Sequence, residues 1–202
     1  MGRKSDARHR LLRAAHTLFH SNGYEAVGVA ELCSAADVNK GSFYHFFASK
    51  RELMLEIVAK TWDETGLLAD WEATPPGRPL AELRQYLQDL FAYHYANIEN
   101  GGRVRGSLIG NLALELSTRD AGVAARLEVQ FARETRAFRN LLVAAVDRGE
   151  VTVSDPNRTA EAMVACLQGL LLLAKVRNDL GVLPDNEGEL LRLAGVPSPT
   201  GN

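Results

Sequence analysis

The sequence has few cysteines and no long apolar run, and each of these shortages excludes a class of protein. Its 202 residues contain two cysteines, Cys33 and Cys166, too few and too far apart for a disulfide framework or a cysteine-based metal site. No stretch approaches the roughly 18 uncharged apolar residues of a membrane-spanning helix, and the basic N-terminus precedes no apolar signal segment. We therefore expect a cytoplasmic protein with no membrane association, no cofactor and no metal site.

The formal net charge of −2 conceals an uneven distribution of charge along the chain. Residues 1–60 contain nine Lys and Arg against six Asp and Glu, together with four of the five histidines. The remaining residues contain 14 Lys and Arg against 19 Asp and Glu. A basic N-terminal region joined to a larger acidic body indicates that only the first part of the chain contacts a polyanion such as nucleic acid.

Apolar residues recur at helical spacing along nearly the whole chain, and no segment shows the sustained two-residue alternation of a strand. The pattern predicts three helices within the first 46 residues and a longer fourth helix that is capped at Ser49 and runs toward Trp71. The segment "TPPGRP", residues 74–79, is the clearest break, and five further helices follow it. The sequence therefore predicts an all-α protein.

The segment "VNKGSFYHFFASKREL", residues 38–53, has the composition of a DNA-reading helix. It follows a short helix and a tight turn at Asp37, an order typical of a helix-turn-helix. Gly41 lets the backbone approach DNA closely at a cost of about 1 kcal/mol relative to alanine. Asn39 is placed to cap the helix and leave its positive end toward phosphate. The predicted DNA-contacting residues are Asn39, Lys40, Gly41, Ser42, Tyr44, His45 and Lys50.

From spacing alone, an aromatic core surrounded by solvated lysines explains this pattern equally well. The stretch "GYEAVGVAELCSAADVNKGSFYHFFASKRELM", however, resembles the N-terminal domain of the TetR family of transcriptional regulators over roughly residues 8–54. The resemblance implies a three-helix helix-turn-helix domain at residues 1–50 and a larger helical ligand-binding and dimerisation domain at residues 51–202. It also implies a ligand-responsive regulator, usually a repressor, that binds a palindromic duplex-DNA operator as a homodimer and is released by a small-molecule inducer.

Two residues depart from the family pattern. The pattern usually has threonine where Val27 stands and glycine where Asp37 stands. We expect Gly28 to cap the second helix less well than a hydroxyl does, so that Val27→Thr strengthens this anchor. We expect Asp37 to adopt the left-handed conformation at modest cost.

The segment "GSLIGNLALELS", residues 106–117, resembles a subgroup of the family that responds to electrophiles and unsaturated acids. Several members of that subgroup carry a reactive cysteine in this stretch, whereas this chain has Ser107. Sensing through a thiol is therefore disfavoured, and Cys33 and Cys166 are interpreted as inert packing residues.

The resemblance places an inducer site among the middle helices and a dimer interface on the last two long helices. Aromatic side chains with few polar groups suit a small, largely apolar ligand, although packed core explains each of them as well. The ligand candidates are Trp62, Trp71, Phe91, His94, Tyr95, Asn111, Glu115, Phe131 and Phe138. The dimer-interface candidates are Leu142, Val146, Met163, Leu167, Leu170 and Leu171.

Two other classes of function remain as alternatives at this stage. The first is a helical dimerisation or scaffold protein without specific DNA binding. The second is a small-molecule-processing enzyme, but "GGRVRGS", residues 101–107, lacks the spacing and the Gly-Lys-Ser/Thr ending of a phosphate-binding loop. No Cys/His cluster has metal-ligand spacing and no nucleophile lies in a recognisable motif, so we expect no enzymatic activity.

Overall fold

The structure is a computed structural model that describes residues 2–60, 67–96, 98 and 102–196. Every regular element within these ranges is an α-helix, which confirms the predicted all-α class. In chain order the helices are α1 (Gly2–Asn22), α2 (Val29–Ala35), α3 (Lys40–Phe46), α4 (Lys50–Lys60), α5 (Leu67–Ala73), α6 (Pro79–Ala96), α7 (Leu108–Leu116), α8 (Ala121–Asp147), α9 (Pro156–Arg177), α10 (Val182–Asp185) and α11 (Glu187–Leu193). The predicted long fourth helix covers α4, α5 and residues 61–66, which lie outside the described residues.

The chain forms two compact units. The first comprises Met1–Thr61 and Ser107–Gln130, and the second comprises Trp62–Gly106 and Phe131–Asn202. Helix α7 and the first ten residues of α8 therefore group with the N-terminal helices. The division predicted between residues 50 and 51 does not coincide with these compact units, and as a division between functions it stays a prediction.

Helix α1 supplies the base of the first unit. Its residues Leu11, Ala15 and Phe19 lie one turn apart and are completely buried. The helix contacts α2, α3, α4 and α7. Because α1 contacts four other helices, the short helices α2 and α3 are held by tertiary packing rather than by their own helix propensity.

The two departures from the family pattern have different structural outcomes. Asp37 has φ +51°, which confirms the expected left-handed turn. Gly28 is the N-cap of α2 and provides no side-chain hydrogen bond, also as expected. Val27, however, precedes the N-cap and is completely buried, so a threonine there would bury a hydroxyl instead of capping the helix. The expected capping role of a threonine at position 27 is therefore wrong, and the effect of Val27→Thr on DNA binding stays a prediction.

The helix boundaries follow local capping signals. The Ser49 hydroxyl accepts from the Glu52 N–H at 3.1 Å, while the Glu52 carboxylate accepts from the Ala48 N–H at 2.7 Å. This pair is the predicted cap of α4. Asp155 caps α9, and Asn178, at φ +53°, ends it in the left-handed conformation.

The core of the second unit is one apolar cluster drawn mainly from α5, α6, α8 and α9. Three of its aromatic rings contact one another. The Trp71 ring centroid lies 5.5 Å from that of Tyr86 and 6.1 Å from that of Phe138, and the Tyr86 and Phe138 centroids are 5.5 Å apart. These separations and the tilted or edge-on angles are those of favourable aromatic packing.

Helix α9 is unusually apolar for a helix at the surface. Within the described part of the chain it alone is long and apolar enough to cross a membrane by length and composition, yet 39% of that apolar window is buried inside the protein. Its buried face includes Met163, Leu167 and Ala174, all nearly inaccessible. The apolar residues on the opposite face are left exposed within a single chain.

Candidate functional site

Helix α3 begins with a side-chain cap supplied by the sequence itself. The Asn39 side-chain oxygen accepts from the Ser42 N–H at 2.7 Å, which confirms the predicted N-cap. A Cβ added at Gly41 would lie 3.3 Å from that oxygen, so glycine also avoids crowding the cap. The remaining free N–H groups of the first turn and the helix dipole make this end attractive to an anion.

The two faces of α3 separate packing from solvent. Phe43 of α3 and Phe47, the residue after the helix, are buried, and their ring centroids lie 6.1 Å apart. On the other side Tyr44 is 57% exposed. The predicted DNA-contacting residues that lie at the surface with it are Asn39, Lys40, Gly41 and His45, whereas Ser42 is half-buried.

Lys50 points into the first unit. Its ammonium donates to the carbonyl oxygens of Tyr24 at 2.9 Å and Val27 at 3.0 Å, and it lies 4.0 Å from the centroid of the Tyr24 ring. Two carbonyls and a π face satisfy much of the hydrogen-bonding and charge requirement of the lysine. The geometry favours a structural role for Lys50, and direct contact with phosphate stays a prediction.

Two arginines of α1 also make internal contacts. Arg8 pairs with Glu56 of α4 and its guanidinium carbon lies 5.3 Å from the centre of the Phe47 ring. Arg10 donates to the carbonyl oxygens of Ala36 at 2.9 Å and Asp37 at 3.1 Å. Arg10 therefore supports the turn between α2 and α3, so the positive charge of α1 is not simply a surface feature.

The corner between α7 and α8 is attached to α4. Arg51 donates to both oxygens of Asp120, at 2.6 and 3.0 Å, and Asp120 also accepts from the Val123 N–H at 2.9 Å. The hydrogen bonds from Arg51 and Val123 hold the pKa of the Asp120 carboxyl well below its usual range. Asp120 is therefore a carboxylate at all physiological pH values and a stable partner for the guanidinium.

The ligand candidates separate between the two units. Asn111 and Glu115 belong to the first unit, and Trp62 lies outside the described residues. The second unit contains Trp71, Phe91, His94, Tyr95, Phe131 and Phe138. Of these, Tyr95 is 49% exposed, Phe131 is half-buried and the others are buried.

Polar side chains lie within the largely apolar interior of the second unit. Burial lowers the pKa of His94 to about 4, so its imidazole is neutral near pH 7. Glu134 is 9% exposed, and the Gln168 side-chain oxygen is buried with no hydrogen-bond donor among the described residues. The sequence interpretation missed Glu134 and Gln168, although Glu134 stands one turn before Phe138 on the apolar stripe of α8.

The predicted interface residues lie mainly in the core of the second unit. Val146 is half-buried, and the buried ones are Leu142, Met163, Leu167, Leu170 and Leu171. The exposed apolar face of α9 instead carries Leu172 at 43%, Leu173 at 42% and Val176 at 72% exposure. The sequence pattern could not distinguish the face of α9 that packs inside the chain from the face left open, and the interface stays a prediction.

The cysteines have no features of a reactive thiol. Cys33 is buried and Cys166 is half-buried, and burial raises the pKa of both thiols. At position 107 the serine hydroxyl accepts from the Gly110 N–H at 3.0 Å and caps α7. Ser107 thus has a local structural role.

Comparison with known proteins assigns this architecture. A family model described as bacterial regulatory proteins, tetR family, matches residues 11–57, and one described as tetracyclin repressor-like, C-terminal domain, matches residues 82–183. The chain belongs to the TetR family. TetR-family regulators bind DNA operators and small-molecule ligands and act as dimers.

Individual relatives are similar to this chain over most of their length. The transcriptional regulator AcuR of Cereibacter sphaeroides is 32% identical over 180 residues, covering 84% of this chain and 77% of AcuR. The HTH-type transcriptional repressor NemR of Escherichia coli is 26% identical over 203 residues, 96% of each chain. The crystal structure of a regulatory protein TetR from Rhodobacter sphaeroides matches with a TM-score of 0.74 at 29% identity, covering 94% of this chain and 97% of that one. The chain is thus a TetR-family transcriptional regulator and not an enzyme, as predicted.

Proposed function

We propose that this TetR-family regulator is a cytoplasmic repressor that binds a palindromic operator as a homodimer and is released by a small, largely apolar inducer. The observation that carries the proposal is the surface of α3. A capped helix start, a glycine and the exposed side chains of Lys40, Tyr44 and His45 lie together on one short helix. This combination suits insertion into a major groove, with donors for phosphate and base edges.

The test of DNA binding is the salt dependence of operator affinity in the Lys40→Ala variant. A lysine that neutralises one phosphate contributes about one unit to the slope of log affinity against log salt, so the variant should bind more weakly with a slope flatter by about one. Fluorescence anisotropy with the duplex upstream of the regulator's own gene measures both quantities.

Arg126→Ala is a matched control, because it removes one exposed positive charge from α8 in the same unit. A slope unchanged in Lys40→Ala, or flattened equally in both variants, would contradict the proposed role of Lys40. A wild-type chain that ignores the duplex even at low salt would support the alternative of a helical scaffold.

For the inducer, the interior of the second unit is the region we propose. Trp71, Phe91 and Phe138 supply apolar surface, while His94 and Glu134 supply buried polar groups. Such surroundings favour a small apolar molecule that carries a hydrogen-bonding group. A thermal-shift screen of small hydrophobic compounds, followed by operator release for each hit, tests this proposal.

For the homodimer, we propose that the open face of α9 is the contact surface. Ala162, Ala165, Gly169, Leu172 and Val176 are spaced alternately by three and four residues along it. All are at least partly exposed, and a Cβ built on Gly169 meets nothing within 4 Å. Small residues followed by larger apolar ones permit close approach of a second helix.

A further inference from the structure

The segment that joins α1 to α2, residues 23–28, has weak anchors of its own. Gly23 has φ +85°, and Gly28 begins α2 without a side-chain cap. Helix α2 has only seven residues, so its intrinsic stability is small. The segment nevertheless determines where α2 starts, and therefore where the turn and the recognition helix α3 follow.

Glu115 of α7 binds the N–H groups of this segment. Its Oε2 accepts from the Tyr24 N–H at 2.9 Å and its Oε1 accepts from the Glu25 N–H at 2.8 Å. Hydrogen bonds from backbone N–H groups to a carboxylate are stronger than those between neutral groups. A Cβ at Gly23 would lie 3.2 Å from Oε2, so this position favours glycine for its space as well as for its positive φ.

Lys50 of α4 binds carbonyl groups of the same segment. Its contacts with the Tyr24 and Val27 carbonyls, at 2.9 and 3.0 Å, complement those of Glu115. Tyr24 is thus held through its N–H, its carbonyl and its ring. Asp120 lies in the connection between α7 and α8. Its hydrogen bonds from Arg51, at 2.6 and 3.0 Å, attach this connection to α4, the helix that also carries Lys50.

We propose that Glu115 is a positioning residue for operator binding, which acts by holding residues 23–28 and hence α2 in the place that α3 requires. The inference rests on the proposed DNA-binding function. Glu115 was expected to contact the inducer, but both of its carboxylate oxygens are occupied within the first unit. It supplies from α7 the anchor that Val27 and Gly28 do not provide locally.

Loss of the carboxylate should reduce the fraction of molecules with α2 correctly placed. The apparent dissociation constant then rises in inverse proportion to that fraction. The number of phosphates contacted in the bound complex does not change, so the salt slope should stay that of the wild type. Weaker binding at constant slope distinguishes a positioning residue from a phosphate ligand.

The experiment compares Glu115→Gln with Glu128→Gln in the full chain, by operator anisotropy across a salt series. Glu128 is an exposed glutamate on α8 in the same unit. Each variant removes one negative charge, which by itself favours a polyanion. We expect Glu115→Gln to bind about tenfold more weakly at unchanged slope, because the fraction of molecules with α2 correctly placed falls while the number of phosphate contacts does not. We expect Glu128→Gln to bind at least as well as the wild type.

A second readout is amide hydrogen exchange. The amides of Tyr24 and Glu25 should exchange faster in Glu115→Gln than in Glu128→Gln, while the amides of α1 stay protected. If Glu115→Gln does not fold, Glu115→Asp replaces it, since its shorter side chain keeps the charge but cannot reach both N–H groups in the same position.

Wild-type affinity in a folded Glu115 variant, a flatter salt slope, or unchanged exchange at Tyr24 and Glu25 would each overturn the proposal. Failure of the proposed function has a different signature. In that case neither the wild type nor Lys40→Ala shows salt-dependent duplex binding, and the exchange experiment alone decides whether Glu115 holds the segment.

Discussion

The corner of the helix-turn-helix is formed by one residue in an uncommon conformation. Asp37 has φ +51°, and its carbonyl oxygen accepts from Arg10 at 3.1 Å. Residues with a Cβ pay an energetic cost in the left-handed region, which is smaller for aspartate and asparagine than for other residues. Arg10 supports a turn that the residue at its centre only tolerates.

Replacing Asp37 with glycine should therefore stabilise the protein. We expect the free energy of unfolding to rise by about 0.5–1 kcal/mol, because glycine adopts this φ without a Cβ clash and only part of the gain is offset by the greater entropy of the unfolded chain. Denaturant or thermal unfolding measures the change.

Asp37→Asn is the matched control for the charge. It keeps a residue that tolerates the left-handed conformation, so its stability should stay close to that of the wild type. Both variants should associate faster with DNA at low salt, since each removes a negative charge beside the recognition helix. A destabilised Asp37→Gly variant would show that the aspartate side chain contributes more than its strained backbone costs.

At this scale the sequence predicted what is local. The left-handed Asp37 and the capping role of Asn39 follow from neighbours a few residues away, and both are confirmed. The backbone carbonyls that accept from Lys50 and Arg10 lie 23 or more residues away, so these contacts depend on how the helices pack. A lysine or arginine on a basic segment indicates DNA contact equally well whether it faces solvent or a buried carbonyl.

Among the elements, α3 combines two requirements at its first turn. Asn39 must satisfy the Ser42 N–H, at 2.7 Å, and it is also exposed on the face proposed to meet DNA. A cap stabilises the helix whether or not DNA is present, whereas a surface contact affects only the complex. Substitutions at this residue can therefore separate helix stability from DNA recognition.

Asn39→Ala and Asn39→Asp should give different patterns. Alanine removes the cap and should cost about 1 kcal/mol of unfolding free energy, with weaker operator binding as a consequence. Aspartate keeps an oxygen for the Ser42 N–H, so stability should be preserved, but its negative charge should weaken operator binding. Thermal unfolding and anisotropy measure the two effects, and tight binding by Asn39→Asp would contradict the proposed DNA-facing surface.

Helix ends were easier to predict than helix faces. The start of α4 follows from Ser49 and Glu52, and that of α3 from Asn39, all of them local signals. The apolar residues of α9 occupy more than one face, and periodicity alone could not divide them between core and surface. The grouping of Glu115 with the N-terminal helices could not be predicted from the sequence either, because it depends on contacts between residues about 90 positions apart.

For the whole molecule, the open face of α9 is an apolar surface suited to contact with a partner. In one chain Leu172, Leu173 and Val176 remain 43%, 42% and 72% exposed. Contiguous apolar surface of this kind is unfavourable in water and typical of a protein–protein interface. A two-fold dimer built on this face would require it to be self-complementary, since the same patch would serve both copies.

Val176→Glu should convert the dimer to monomers. The substitution places a carboxylate in the proposed contact of both copies, and an unpaired buried charge costs several kcal/mol, so the dissociation constant of the dimer should rise by about a hundredfold or more. Analytical ultracentrifugation across a concentration series measures this change.

Leu114→Glu is the matched control, because Leu114 of α7 is 73% exposed against 72% for Val176. The control should remain dimeric and bind its operator, whereas Val176→Glu should lose operator binding at nanomolar protein, since a palindromic site requires two joined recognition helices. Equal dissociation of both variants would refute the assignment of the interface to α9.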